Sequence, residues 1–203
     1  NNSMFTMEEK RRLLKKGIPA TRPQKLTRPW YDRVRGQDDV TKMQYLDINV
    51  WLIGDILLKA DRMSMANSLE LRVPFLDRKV FSVASRIPRH LKVNQQNTKY
   101  ALRKAALRHL PEATAKKKKL GFPVPIRVWL REEKYSGIVR QAFTSETAKK
   151  FFNTDFLVSL LDSHKEGKCD NSRKIWTVFM FLVWYDIYFN GASHEPGDVP
   201  IVK

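Results

Sequence analysis

The chain has 203 residues, 42% hydrophobic and 11% aromatic, with a formal net charge of +17. That apolar supply excludes a disordered polymer, and the single cysteine, Cys169, excludes an internal disulfide or a cysteine-based metal cluster. The excess of lysine and arginine favours a polyanionic partner (nucleic acid, acidic membrane or phosphate-bearing molecule) or marks an acidic neighbour.

Residues 8–16, EEKRRLLKK, read as a short charged helix ended by Gly17 and Pro19. Pro19, Pro23 and Pro29 among basic residues make 17–40 extended surface chain, so 1–40 form a charged, proline-containing leader. From 41 to 68, Met43, Leu46, Val50, Ile53, Leu57 and Ala60 recur at helical spacing. This helix is expected at the centre of the structure, with the helix over 172–189 packed beside it. Pro74 biases Val73 toward extended backbone. Asp77 is the expected cap of a helix over 78–87, and Asn97 or Thr98 of one over 98–109.

Residues 111–125, PEATAKKKKLGFPVP, read as a loop carrying four consecutive lysines. Helices resume over 126–131, 134–142 and 145–151. Asn153 or Thr154 caps the next, 154–166, which Gly167 closes, and the last stops at Asn190-Gly191 before a flexible tail, 191–203. The helical region 41–190 shows no period-two strand, and the fold class is all-α. The apolar run 175–189 is broken by Thr177 and Asp186 and falls short of the ~20 residues of a bilayer span. No signal-peptide pattern opens the chain, so a core helix of a cytoplasmic protein with no membrane partner is expected.

Asp55, Lys59 and Arg62 stand at i, i+4 and i+7, one face of a helix that is otherwise apolar around most of its girth. A charge stripe on a buried helix needs partners or a ligand. Glu70 and Arg72 project to one side of an extended segment, a pairing expected to be structural. Phe75 and Leu76 read as core anchors, and Asp77 as a cap. In Lys116–Lys119 the run is anchored by Leu120-Gly121-Phe122-Pro123, so one lysine can be aimed at a phosphate. There is no GxxxxGK[ST] or GxGxxG loop, so the main cradle for any nucleotide is expected outside the chain.

Two of these stretches carry a family resemblance. LLKADRMSMANSLELRVPFLD, residues 57–77, resembles the L-x-K-x-D-R-x-S-M-x-x-S-x-E-x-R-x-P-F-x-D segment of glutamine-dependent, class B asparagine synthetases. KKKLGFPVPIRVWL, residues 117–130, is similar to that family's R-x-K-x-G-F-x-x-P-x-x-x-W-L. The resemblance covers about residues 40–190. It implies the helical C-terminal lobe of an α/β, ATP-pyrophosphatase type synthetase domain. Such enzymes activate aspartate as β-aspartyl-AMP with ATP and Mg²⁺, release pyrophosphate, and let glutamine-derived ammonia attack. The family's SGGxDS loop, its GSDE segment and its N-terminal cysteine are absent here. The expectation is therefore a fragment, inactive alone, whose upstream half binds most of the ATP and Mg²⁺, with no metal ligands in this chain and a homodimer as the intact enzyme.

Position by position, Lys119 matches the lysine three before the phenylalanine, and Lys59 the basic position before the Asp-Arg pair. The resemblance makes both catalytic, stabilising charge on departing pyrophosphate. Asp55, Arg62 and Lys117 are the implied substrate- and nucleotide-binding residues. Lys117 stands where the family often has arginine, keeping the charge without the bidentate fork. Glu70, Arg72 and Asp77 match as structural residues. Two alternatives stay open: a related amide-forming enzyme (β-lactam synthetase, lasso-peptide cyclase or polysaccharide amidotransferase), or a basic helical nucleic-acid-binding module. The nucleic-acid reading is disfavoured because the aromatics sit at core positions, not among the basic residues.

Overall fold

A computed structural model describes residues 4–19, 21–95, 97–118, 121 and 124–191. In chain order the helices are α1 (Met7–Leu13), α2 (Pro23–Arg33), α3 (Asp39–Leu46), a π-helical segment (Asp47–Leu57), α4 (Leu58–Met65), a 3₁₀ turn (Pro74–Leu76) and α5 (Arg78–Ser85). Then come α6 (Arg89–Lys92), α7 (Tyr100–Ala106), α8 (Glu112–Ala115), α9 (Ile126–Trp129), α10 (Glu133–Phe143), α11 (Glu146–Phe151), α12 (Thr154–Lys165) and α13 (Ser172–Phe189). Among the described residues the only β pairing is an isolated antiparallel bridge between Leu14 and Phe152, as an all-α chain requires. The chain divides into two compact units, Asn1–Ala20 with Gly121–Lys203, and Thr21–Leu120. Residues 1–40, read as one leader, thus fall into both units, and the helices over 39–65 and 172–189 belong to different ones.

The first unit is built around α12. Asn153 caps it, accepting the Phe156 N–H at 3.4 Å, and Gly167 at φ +74° closes it. Leu157, Leu161 and His164, spaced four and three apart, form a fully buried stripe. Val139 and Phe143 of α10 and Ile175 and Leu182 of α13 fill the same core. Each such side chain contributes about 1.5–3 kcal/mol relative to exposure. The aromatic girth of α13 is used too: Phe181 meets Phe151 and Phe152 edge-on at 5.3 and 5.5 Å.

Helix α1 joins this unit through a capping box, in which Thr6 Oγ1 accepts the Glu9 N–H at 3.1 Å and Glu9 Oε2 accepts the Thr6 N–H at 2.8 Å. Phe5 and Leu13 are buried in the core, and Lys174 of α13 donates to Glu9 Oε1. Two backbone bonds, Lys15 N–H to Phe151 O at 2.9 Å and Asn153 N–H to Leu13 O at 2.8 Å, lay the segment after α1 along residues 151–153.

The second unit has a different character. Residues 23–33, expected to be extended, are helical. Pro23 occupies the first turn, where its missing N–H costs nothing, and Asp32 pairs with Arg28 and Arg35 at 3.6 and 2.9 Å. The helix expected over 41–68 runs as α3, the π-helical segment and α4 in succession. Its apolar residues are not buried: Trp51 is 57% exposed and Met63 62%. Phe75, read as a core anchor, is 70% exposed, and Leu76 is exposed as well. Among the described residues of this unit only Ala115 is buried, so its apolar side chains have too little of their own kind within reach to close a core. Helix α7 begins at Tyr100 without a side-chain cap, so neither Asn97 nor Thr98 serves as expected.

The hydrogen bond from Lys174, the backbone bond from Thr6 and the nearby ammonium charge hold the Glu9 carboxyl below its ordinary value. Its stabilisation is therefore complete above the ordinary carboxylate value of ~4.3 and is lost as pH falls through the lowered folded value. Glu9→Gln is expected to destabilise the first unit by about 1 kcal/mol at pH 7. It should also flatten the acid limb of the denaturation midpoint as pH falls below the ordinary carboxylate value of ~4.3, measured by urea titration. An unchanged acid limb would show that the pair does not link α1 to α13.

Candidate functional site

The residues singled out for chemistry lie in the second unit. At the junction of the π-helical segment and α4, Asp55 bridges two neighbours on one face. Trp51 Nε1–H donates to Asp55 Oδ2 at 2.9 Å, and Lys59 Nζ stands 3.7 Å from Asp55 Oδ1. All three side chains are exposed, so the ion pair contributes little to stability and its charges face water. Arg62 stands one turn beyond Lys59, exposed and with no ion pair to a described residue.

Helix α4 ends in a tight reversal. Ser68 takes φ +53°, a left-handed conformation uncommon for a residue with a side chain, and the Leu69 N–H returns to the Ser64 carbonyl at 2.9 Å. The chain then leaves as Leu69–Val73, where Arg72 and Glu70 form an ion pair, as their spacing implies. Asp77 caps α5, its carboxylate accepting from the N–H groups of Lys79 at 2.7 Å and Val80 at 3.3 Å. All three act within a few residues of their own positions.

The start of the lysine run is held from a distance. Arg103 of α7 donates to the Ala115 carbonyl at 3.0 Å and to the Lys117 carbonyl at 2.9 Å. One guanidinium thus grips the backbone on both sides of Lys116. Lys116 pairs with Glu112 one turn back on α8, which holds the Glu112 carboxyl below its usual value. Lys117 and Lys118 are exposed and take part in no ion pair with a described residue, so their charge is available to a ligand. Lys119 lies outside the described residues.

No hydrogen bond or ion pair between described residues joins Lys117 to Asp55, Lys59 or Arg62; they form two separate stations on the unit. No group of three or more His, Cys, Asp or Glu among the described residues is arranged to hold a metal ion. The described residues do not assemble the donor set that Mg²⁺ needs.

Two contributors escaped the sequence reading. Trp51 stands one turn before Asp55, but an indole on a helix expected to be buried signals packing and not a polar partner. Arg103 had no local signal, because its acceptors are backbone carbonyls twelve and fourteen residues away.

A family model described as asparagine synthase matches residues 3–186. Asparagine synthetase [glutamine-hydrolyzing] 1 of Bacillus subtilis (strain 168) is 45% identical over 208 residues, which span all of this chain and 33% of that protein. A Mycobacterium bovis relative named for the same enzyme is 43% identical over 179 residues, 86% of this chain and 28% of its own. Asparagine synthetase [glutamine-hydrolyzing] 3 of B. subtilis is 34% identical over 95 residues, 47% of this chain and 16% of its own. The chain spans about a third of the length of the first of these relatives. No solved structure matches it at a significant level.

If Arg103 holds the lysine run, Arg103→Gln should raise the rate of tryptic cleavage after Lys116, Lys117 and Lys118 by about tenfold, read by mass spectrometry. Cleavage after Lys149 and Lys150, in the other unit, should stay as it was. Equal rates at the lysine run in both proteins would remove the clamp.

Proposed function

Because the chain belongs to the asparagine synthase family, we propose that it forms the helical lobe of an ATP-dependent, glutamine-hydrolysing asparagine synthetase domain. In this reading the β-carboxylate of aspartate attacks the α-phosphorus of ATP, and pyrophosphate leaves. Ammonia derived from glutamine then attacks the acyl carbon of β-aspartyl-AMP, and AMP departs. Mg²⁺, when bound with ATP, would neutralise charge on the phosphates.

The observation that carries the reading is the gripped lysine run. Arg103 fixes the chain at Ala115 and Lys117, immediately before the segment whose Lys119 matches the family motif. Lys119 is the proposed catalytic cation, stabilising the negative charge that grows on the leaving pyrophosphate. Lys59 is the second, and Asp55 orients its ammonium from 3.7 Å until the phosphates arrive. Arg62 and Lys117 bind nucleotide or substrate. The uncovered apolar surface of the second unit supports the lobe assignment. Leu69, Leu71, Val73, Phe75 and Val83 are all exposed, and in a synthetase the parts outside the matched third would cover them. The enzyme is proposed to be cytoplasmic and dimeric. No helix among the described residues is long and apolar enough to cross a membrane.

In an active synthetase carrying this sequence, Lys119→Ala should lower kcat by ~10²–10³ with little change in KM for aspartate. Its charge is needed where negative charge accumulates in the transition state, not in holding the ground-state amino acid. Lys118→Ala, one residue away, should be nearly silent. Equal effects of the two substitutions on pyrophosphate release would mean that the run acts as a diffuse field, and the assignment of Lys119 would fall.

A further inference from the structure

A cavity of about 700 Å³ opens in the first unit, lined by none of the site residues assigned above. One wall carries Arg11, Arg12, Lys15 and Lys16, from the end of α1 and the turn after it. The opposite wall is Asn153, Thr154, Asp155, Phe156 and Ser159, the start of α12. These cations belong to EEKRRLLKK, expected from the sequence only as a short charged helix.

The cations are not on a loose arm. Leu13 is buried between them, the Leu14–Phe152 bridge lies at their centre, and the two backbone bonds from Lys15 and to Leu13 fix both walls at one spacing. Arg12 is held further by its guanidinium lying 4.7 Å from the Phe156 ring centroid. No ion pair joins any of the four to a described carboxylate, although neighbouring Lys149, Lys165, Lys168 and Lys174 all have one. The four cations are exposed and face a single carboxylate, Asp155, so the cavity carries a positive potential that favours an anion.

We propose that this cavity binds a small molecule bearing two or more linked phosphate groups. One phosphate carries a charge of about −1.5 to −2 at pH 7, so two linked groups match four cations. A volume of about 700 Å³ lies within the range of small-molecule sites. The Thr154 hydroxyl, whose side chain makes no hydrogen bond to a described residue, lines the far wall as a further donor. A nucleic-acid backbone fits less well. Asp155 would face its phosphates, and Arg12 already occupies the face of Phe156 on which a base would stack. The site shares no residue with the proposed synthetase stations, so it stands whether or not that reading does.

The test is calorimetric titration of the full chain with inorganic tripolyphosphate at low salt. Binding is expected, weakening as salt is added. Lys15→Gln with Lys16→Gln should lower the affinity about tenfold or more. Lys15→Arg with Lys16→Arg should retain it, and Lys149→Gln with Lys150→Gln, which do not line the cavity, should leave it unchanged. In the unsubstituted chain the amide resonances of Thr154 and Asp155 should shift on titration, a readout independent of whether any variant folds. Absence of binding, absence of those shifts, or equal loss in the two glutamine pairs would overturn the proposal. So would tighter binding of a duplex oligonucleotide with the same dependence on Lys15 and Lys16.

Discussion

The burial of His164 is the constraint around which the first unit is organised. The imidazole is fully buried, in the stripe of α12 that also carries Leu157 and Leu161. A buried ring nitrogen without a partner would be costly, so both must be satisfied by the fold itself. Nε2 stands 2.9 Å from the Arg127 carbonyl in α9, and Nδ1 stands 3.3 Å from both the Asn171 N–H and the Cys169 carbonyl. These partners tie α9, α12 and the start of α13 to one point. Asn171 adds a second tie, its side-chain amide donating to the Leu160 carbonyl at 3.1 Å. No buried side-chain polar atom among the described residues lacks a partner, and the apolar packing closes around this node.

The second unit shows what the same chain does without such closure. Its local geometry is held by polar devices of short reach: the Asp77 cap, the Glu70–Arg72 pair and the Asp55 bridge between Trp51 and Lys59. The Arg103 grip reaches further, to carbonyls twelve and fourteen residues away. Such contacts fix the direction of a segment but remove little apolar surface from water. The unit therefore keeps its shape locally while leaving Trp51, Phe75, Leu69 and Val83 exposed. Functional stations placed on such a unit depend on what covers it for their final arrangement.

Helix existence and most helix ends were legible in the sequence because their causes are local. Asp77, Asn153, Gly167 and Asn190-Gly191 mark boundaries by side-chain or backbone chemistry acting within a turn, and α13 spans 172–189 as read. Residues 17–40 misled because three prolines suggested extended chain, whereas Pro23 is tolerated at a helix start and Pro29 is accommodated inside α2. The family motifs pointed to Lys59 and the lysine run, since they are contiguous patterns of residue type. Arg103 was invisible because nothing in its neighbours names a carbonyl fourteen residues on.

The sequence by itself determined the all-helical character, the Asp77 and Asn153 caps and the family to which the chain belongs, all of which rest on residue type and spacing along contiguous stretches. Burial was decided only by the tertiary structure. The periodic apolar stripe of 41–68 and the stripe of α12 obey the same rule, yet one is exposed and the other closed. Amphipathic spacing states that a face can be buried, but the apolar partner it needs comes from elsewhere in the fold. The first unit supplies that partner from α10 and α13, and the second unit holds none for Trp51, Ile53 or Phe75.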